Sequence, residues 1–241
     1  MKRSKINAIM RDGDEFVRSR GFYLPPFAYW SPQDWASKGP EASEIVQNDL
    51  GWDITDYGLN KYDKVGLFLF TIRNGNPENL RRLSPTAMLL GKIYAEKLLI
   101  VGVDQVTPMH FHWHKCEDII NRGGGRLIIQ LYNATPDDEL DDSDVTVSMD
   151  GVRYTVRAGD TVELKPGESI TLPTRLYHEF WGADERILVG EVSVVNDDRR
   201  DNRFYKPVGR FPEIEEDESP LYLLVQDYVK YYAYAGAQLS E

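Results

Sequence analysis

All four histidines of the chain fall in two short segments. Three alternate in Met109-His110-Phe111-His112-Trp113-His114-Lys115-Cys116-Glu117. The fourth is His178, in Leu172-Pro173-Thr174-Arg175-Leu176-Tyr177-His178. Side chains two apart on a β-strand point to one face. A His-x-His pair therefore presents two imidazoles together. A carboxylate just beyond and a distant histidine can complete a metal site. Imidazole with carboxylate suits manganese, iron, nickel or zinc. With one cysteine in the chain, a structural zinc clamp of thiolates is disfavoured. Cys116 adjoins the cluster, and we read it as a small buried residue rather than a reactive thiol.

Strands must carry such a cluster, and the middle of the chain supplies them. Residues 65–72, 94–103, 126–132, 145–149, 152–156, 161–164, 168–172 and 187–195 are short apolar or alternating runs. The histidine segment makes a further strand. Asp150-Gly151 is a strong hairpin signal, and Asn74-Gly75-Asn76-Pro77 reads as a turn. Short strands separated by turns predict a sandwich or closed barrel. The ends differ. Residues 5–20 place Ile6, Ile9, Met10, Phe16 and Val17 at amphipathic-helix spacing. Residues 22–30 are aromatic, and Pro25-Pro26 forbids a helix there. This stretch reads as an extended arm. Ser31-Pro32 reads as an N-cap followed by proline at the first helical position. Residues 198–220 are charged, and residues 221–235 form an aromatic terminal helix or strand. We expect one domain over residues 1–241: an arm at 1–60, a barrel at 61–197 and a capping segment at 198–241.

The chain has 28 basic and 39 acidic residues, a net charge of −11. That disfavours nucleic-acid binding, which needs a basic footprint, and docking on anionic membranes. No apolar stretch is long enough to span a bilayer, and the basic start leads into no signal-like core. One cysteine allows no internal disulfide, so a reducing cytoplasm is the expected compartment.

The spacing His110-x-His112, four residues, Glu117, then Gly159-Asp160, Pro166-Gly167, Pro173 and His178, resembles the two motifs of the cupin superfamily. The resemblance implies a mainly β, cupin-type barrel (jelly roll) with a helical and extended N-terminal arm and a C-terminal extension. It implies His110, His112, Glu117 and His178 as metal ligands, with His114 outside the set. Longer marks run His110 to Ile120, Gly190-Glu191-Val192-Ser193, Asn196-Asp197-Asp198, Asp201-Asn202-Arg203-Phe204 and Gly209 to Glu218. These resemble the D-lyxose isomerase family of cupins. That resemblance implies interconversion of D-lyxose with D-xylulose, and of D-mannose with D-fructose, through an enediolate steadied by manganese. Cobalt, iron, nickel and zinc are the alternative ions. Two other classes share the ligand set: cupin dioxygenases or oxidases, and a non-catalytic sugar-binding cupin.

Aldose–ketose isomerisation moves a proton between C2 and C1, so a base must reach both carbons. A ligand such as Glu117 is poorly available. Lys115, between ligands, is expected to assist at a sugar oxygen, with its pKa lowered by the nearby cation. The acidic run at 213–218 is expected to supply the base. Glu216 is preferred, because in an extended segment it faces the same way as Ile214, and Glu215 is the runner-up. Arg126 and Gln130 share the polar face of a strand and would grip sugar hydroxyls if that face points inward. A homodimer is expected, with the 22–30 arm as its contact.

Overall fold

The computed structural model describes residues 1–77 and 91–236. Among the described residues, fourteen strands form two antiparallel sheets, in chain order β1 (Gly51–Thr55), β2 (Leu67–Arg73), β3 (Tyr94–Val101), β4 (Thr107–Phe111), β5 (Glu117–Gly123), β6 (Arg126–Ala134), β7 (Leu140–Asp141), β8 (Val145–Met149), β9 (Val152–Val156), β10 (Thr161–Leu164), β11 (Ser169–Leu172), β12 (Leu176–Ala183), β13 (Ile187–Val194) and β14 (Arg203–Phe204). The large sheet runs β1-β2-β3-β13-β5-β11-β8-β9, and the smaller runs β10-β6-β12-β4-β14 with β7 beside β6. The expected strands are all present. Asp150 and Gly151 both take positive φ between β8 and β9, as a tight hairpin requires.

Two apolar layers explain why β2 and β3 read as continuous hydrophobic runs. Leu67, Leu69, Leu99 and Val101 point between the sheets, where they meet Leu127, Ile129 and Leu131 of β6. The alternate residues Phe68, Phe70, Leu98 and Ile100 point outward under α1 (Arg3–Ser19). That helix buries Ile6, Met10, Phe16 and Val17 against them. Each fully buried side chain of this size contributes roughly 1.5–3 kcal/mol. A strand covered on both faces has no polar side to show.

The N-terminal region is more than an arm. Residues 51–55 form β1, which pairs with β2 in the large sheet. Ser31 caps α2 (Pro32–Ala36) in a reciprocal capping box with Asp34, and α3 (Ser43–Gln47) follows. The aromatic stretch packs on the chain's own body. Phe27 stacks on Phe70 at 5.7 Å, and Trp30 meets Trp35 edge-on at 5.1 Å. The described part of the C-terminal region is mostly irregular, with a helical turn α4 (Tyr228–Tyr231). Among the described residues no helix is long and apolar enough to cross a membrane.

Candidate active site

The cluster forms where β4, β5 and β12 converge. His110 and His178 are directly opposed across the β4–β12 pair, with ring centroids 4.2 Å apart. His112 follows the end of β4, and Glu117 opens β5. One ligand nitrogen from each of His110, His112 and His178 lies within 4.8 Å of the others. Glu117 Oε1 stands 3.5 Å from His112 Nε2 and 3.3 Å from His178 Nε2. All four side chains are buried. His114 is exposed and outside the group.

Each ring is oriented by the backbone. The Nδ1 atoms of His110, His112 and His178 meet the carbonyl oxygens of Pro108 (2.7 Å), Asp201 (2.9 Å) and Leu176 (2.9 Å). A carbonyl only accepts, so each Nδ1 carries a proton, which in a neutral ring leaves Nε2 its lone pair. The buried Nε2 of His178 has no hydrogen bond of good geometry. Burial and the two neighbouring rings hold His110 well below the usual imidazole range, so it stays neutral. Three unprotonated imidazole nitrogens around one carboxylate oxygen fit a divalent cation, with second-shell carbonyls fixing the tautomers. The site can hold a metal.

Beside the cluster lies a cavity of about 440 Å³, counting the part that opens to solvent. Its wall carries a charged network. Lys115 Nζ lies 2.6 Å from Glu117 Oε2 and 2.8 Å from Glu191 Oε1. Lys97 Nζ lies 3.2 Å from Glu191 and 3.2 Å from Asp198, and donates to Asn196 Oδ1 at 2.6 Å. Arg210 pairs with Asp53, and with Asp198 at 3.4 Å. Among the described residues, Glu117, Glu191, Asp198 and Asp53 thus face only Lys97, Lys115 and Arg210. The surplus negative charge is what a bound cation offsets. Burial alone would push the Glu117 and Asp198 carboxyls up. Lys115 and His112 outweigh it at Glu117, and Lys97 and Arg210 at Asp198, so both sit well below the carboxylate range. The fall expected for Lys115 beside a bound cation is opposed by its own neighbours. Burial lowers it, but Glu117 and Glu191 outweigh burial and raise it above the usual lysine value.

A family model described as D-lyxose isomerase matches residues 1–228. The chain is 47% identical over 236 residues to the D-lyxose/D-mannose isomerase of Serratia proteamaculans, covering 97% of this chain and 100% of that protein. The chain belongs to the D-lyxose isomerase family. It is an aldose–ketose isomerase, which sets aside the oxygen-using and purely sugar-binding alternatives. A D-lyxose/D-mannose isomerase of Escherichia coli O157:H7 is 46% identical over 231 residues, 95% of this chain and 98% of that protein. The L-ribose isomerase of Cellulomonas parahominis, solved with L-ribose, superposes with a TM-score of 0.59 at 15% identity. It covers 89% of this chain and 98% of that one, and shows the shared cupin fold.

The remaining expected site residues lie elsewhere. Glu216 does face the same way as Ile214, but toward α1 rather than the barrel mouth. It pairs with the buried Arg3 at 2.9 Å and with Lys230 at 3.6 Å. Glu215 is solvated beside Lys2. The acidic run closes the N-terminal helix onto the C-terminal strap and does not line the cavity. Arg126 and Gln130 are on the outer face of β6, because Leu127, Ile129 and Leu131 take the inner one. Arg126 is spent on Asp184 and Glu163, and Gln130 donates to the Gly159 carbonyl.

Glu191, Lys97, Asp198, Arg210 and Asp201 were not assigned site roles from the sequence. Glu191 did leave a signal: an acid at an inward position of the otherwise apolar run Ile187 to Val192. Asp201 accepts from the backbone N–H groups of His114 and Lys115, both at 2.9 Å, and so fixes the turn that carries the ligands.

Proposed function

We propose that the protein interconverts D-lyxose and D-xylulose, and D-mannose and D-fructose, with Glu191 moving the proton. His110, His112, Glu117 and His178 would hold one divalent ion. Manganese is the ion we favour, since imidazole with carboxylate and open octahedral positions suits it better than closed tetrahedral zinc. When bound, the ion supplies the electrophile that polarises the carbonyl and the adjacent hydroxyl oxygen.

One observation carries the reading. A second carboxylate, Glu191, lines the same cavity as the ligand cluster yet is not part of it. It takes the C2 proton to give the enediol and returns it at C1. The O2 hydroxyl proton ends on O1, so C2 is oxidised as C1 is reduced and no outside oxidant is needed. Lys115 lies between Glu117 and Glu191, so it is placed to donate to a sugar oxygen. Lys97 supports Glu191 from the neighbouring strand. Turnover of D-lyxose by manganese-loaded protein in heavy water should place some solvent deuterium at C1 of D-xylulose. Product free of deuterium would point to a hydride shift and remove the base from the mechanism.

A cytoplasmic homodimer belongs to the same reading. The aromatic arm is largely consumed within its own chain, and Tyr23, 73% exposed, is what it leaves for a second copy. Sedimentation at twice the protomer mass is expected. A strict monomer would remove the dimer and leave the chemistry untouched.

A further inference from the structure

We propose that Thr107 and Tyr57 form a hydroxyl clasp that selects the substrate by a sugar hydroxyl beyond C3. The inference rests on the isomerase reading above. A site that grips an aldose at O1 and O2 reads the configuration at C2 and nothing beyond it. Discrimination among sugars alike at C2 must come from further along the chain.

The Thr107 side chain is 3% exposed, and its hydroxyl has no hydrogen-bond partner among the described residues. Buried polar groups in folded proteins are almost always paired, so an orphan needs a reason. Thr107 lines the same cavity as His110, His112 and Glu117. A sugar hydroxyl is the partner that this cavity admits.

Two backbone irregularities aim the clasp. Along β12, His178 is opposite His110 and Phe180 is opposite Thr107. The partner strand advances two residues while β4 advances three. In a regular strand, residues three apart face opposite sides. The extra residue in β4 is a bulge, and it turns Thr107 to the same side as His110. Pro108 and Met109 are left on the outer face, beside Gln130 and Glu179. The second irregularity is Tyr57, whose φ is +54. A bulky aromatic residue rarely adopts this conformation, and such strain persists only where neighbours enforce it. Here Thr55 Oγ1 accepts the Tyr57 N–H at 2.9 Å, and the Gly209 N–H donates to the Tyr57 carbonyl at 3.0 Å. The ring is thereby buried in the cavity wall, edge-on to Phe204 at 5.6 Å. Its phenol interacts with the Thr107 hydroxyl, but the two do not meet in good hydrogen-bond geometry. Burial raises the phenol above its usual value, so it remains an O–H donor.

A sugar hydroxyl between the two can accept from Tyr57 and donate to Thr107. The partner strand's two residues put Thr107 about 7 Å from His110 along the sheet. That separation excludes O1 and O2 and assigns the clasp to a hydroxyl on C4 or C5. Sites built to bind a hydroxyl reject analogues that lack it far more strongly than apolar pockets reject an added methylene.

The test compares kcat/KM of manganese-loaded wild type and Thr107→Val on D-lyxose and on its 3-, 4- and 5-deoxy analogues. Thr107→Val should lose about 10-fold on D-lyxose, carried mainly by KM. It should lose nothing further on the 4-deoxy or the 5-deoxy sugar, and Tyr57→Phe should show the same pattern. Thr107→Ser, which keeps the hydroxyl, should discriminate as wild type does. An equal loss by Thr107→Val on all four sugars, or less than twofold on each, overturns the clasp. Wild type that turns over none of the four overturns the isomerase reading as well, so the two failures look different.

Discussion

Replacing Glu191 by glutamine should lower kcat on D-lyxose by about 10²–10⁴-fold while the protein stays folded and takes up manganese. The amide keeps the shape of the side chain and can still accept from Lys115 and Lys97, which lie 2.8 and 3.2 Å from Glu191 Oε1. It cannot take a proton from carbon. The other carboxylate on that wall is no substitute. Asp198 is fixed by Lys97 and Arg210 and held well below the carboxylate range, so it is a weak base. Glu216→Gln is the informative contrast. Its partner is Arg3, on the far side of the large sheet from the cavity, so activity should stay near wild type. Near-wild-type turnover by Glu191→Gln would show that the base lies elsewhere. A loss confined to Glu216→Gln would restore the acidic run to the chemistry.

Removing one imidazole should empty the metal site. We expect His178→Ala to bind manganese more than about 100-fold more weakly, since loss of mere second-shell partners costs 10–100-fold. Metal content by elemental analysis is the direct measure. A second readout is linked stability. A ligand that binds only the folded state adds about 2.7 kcal/mol at 100 times its dissociation constant. Added manganese should therefore raise the unfolding temperature of wild type and leave that of His178→Ala nearly unchanged. His114→Ala should behave as wild type in both assays, because its side chain is exposed and apart from the cluster. Full occupancy in His178→Ala, or loss only in His114→Ala, would refute the ligand set.

The histidine cluster was legible because its signal is local. An alternating His-x-His pair needs only strand parity to bring two rings together. The cupin resemblance then supplied His178, which no local rule links to β4. The barrel strands were legible for the same local reason, and the capping box at Ser31 was visible in Ser31-Pro32. Glu191 was harder to single out. Parity usually marks an inward polar residue against an outward polar face, but β13 is largely apolar on both faces because α1 covers part of it. The acidic run misled for a related reason. Ile214 and Glu216 share a direction, but sequence cannot say which of two apolar layers lies in that direction. Arg126 and Gln130 posed the same choice on β6, and there the aliphatic residues won the interior. Thr107 could not have been placed with His110 at all. Three residues apart, they share a face only because β4 bulges.

Lys97 and Glu191 sit directly across from one another on β3 and β13. With greasy side chains on both sides of these strands, sliding one past the other by a single residue would cost little in hydrophobic contact. The ordinary penalty against a misaligned ladder is weak here. A slip would instead carry one of the pair to the outer face of the sheet and leave its buried partner without a counterion. Losing one partner of a buried ion pair costs about 3–5 kcal/mol, enough to reject the shifted pairing. Glu191, proposed above as the base, would then also be a proofreader of assembly.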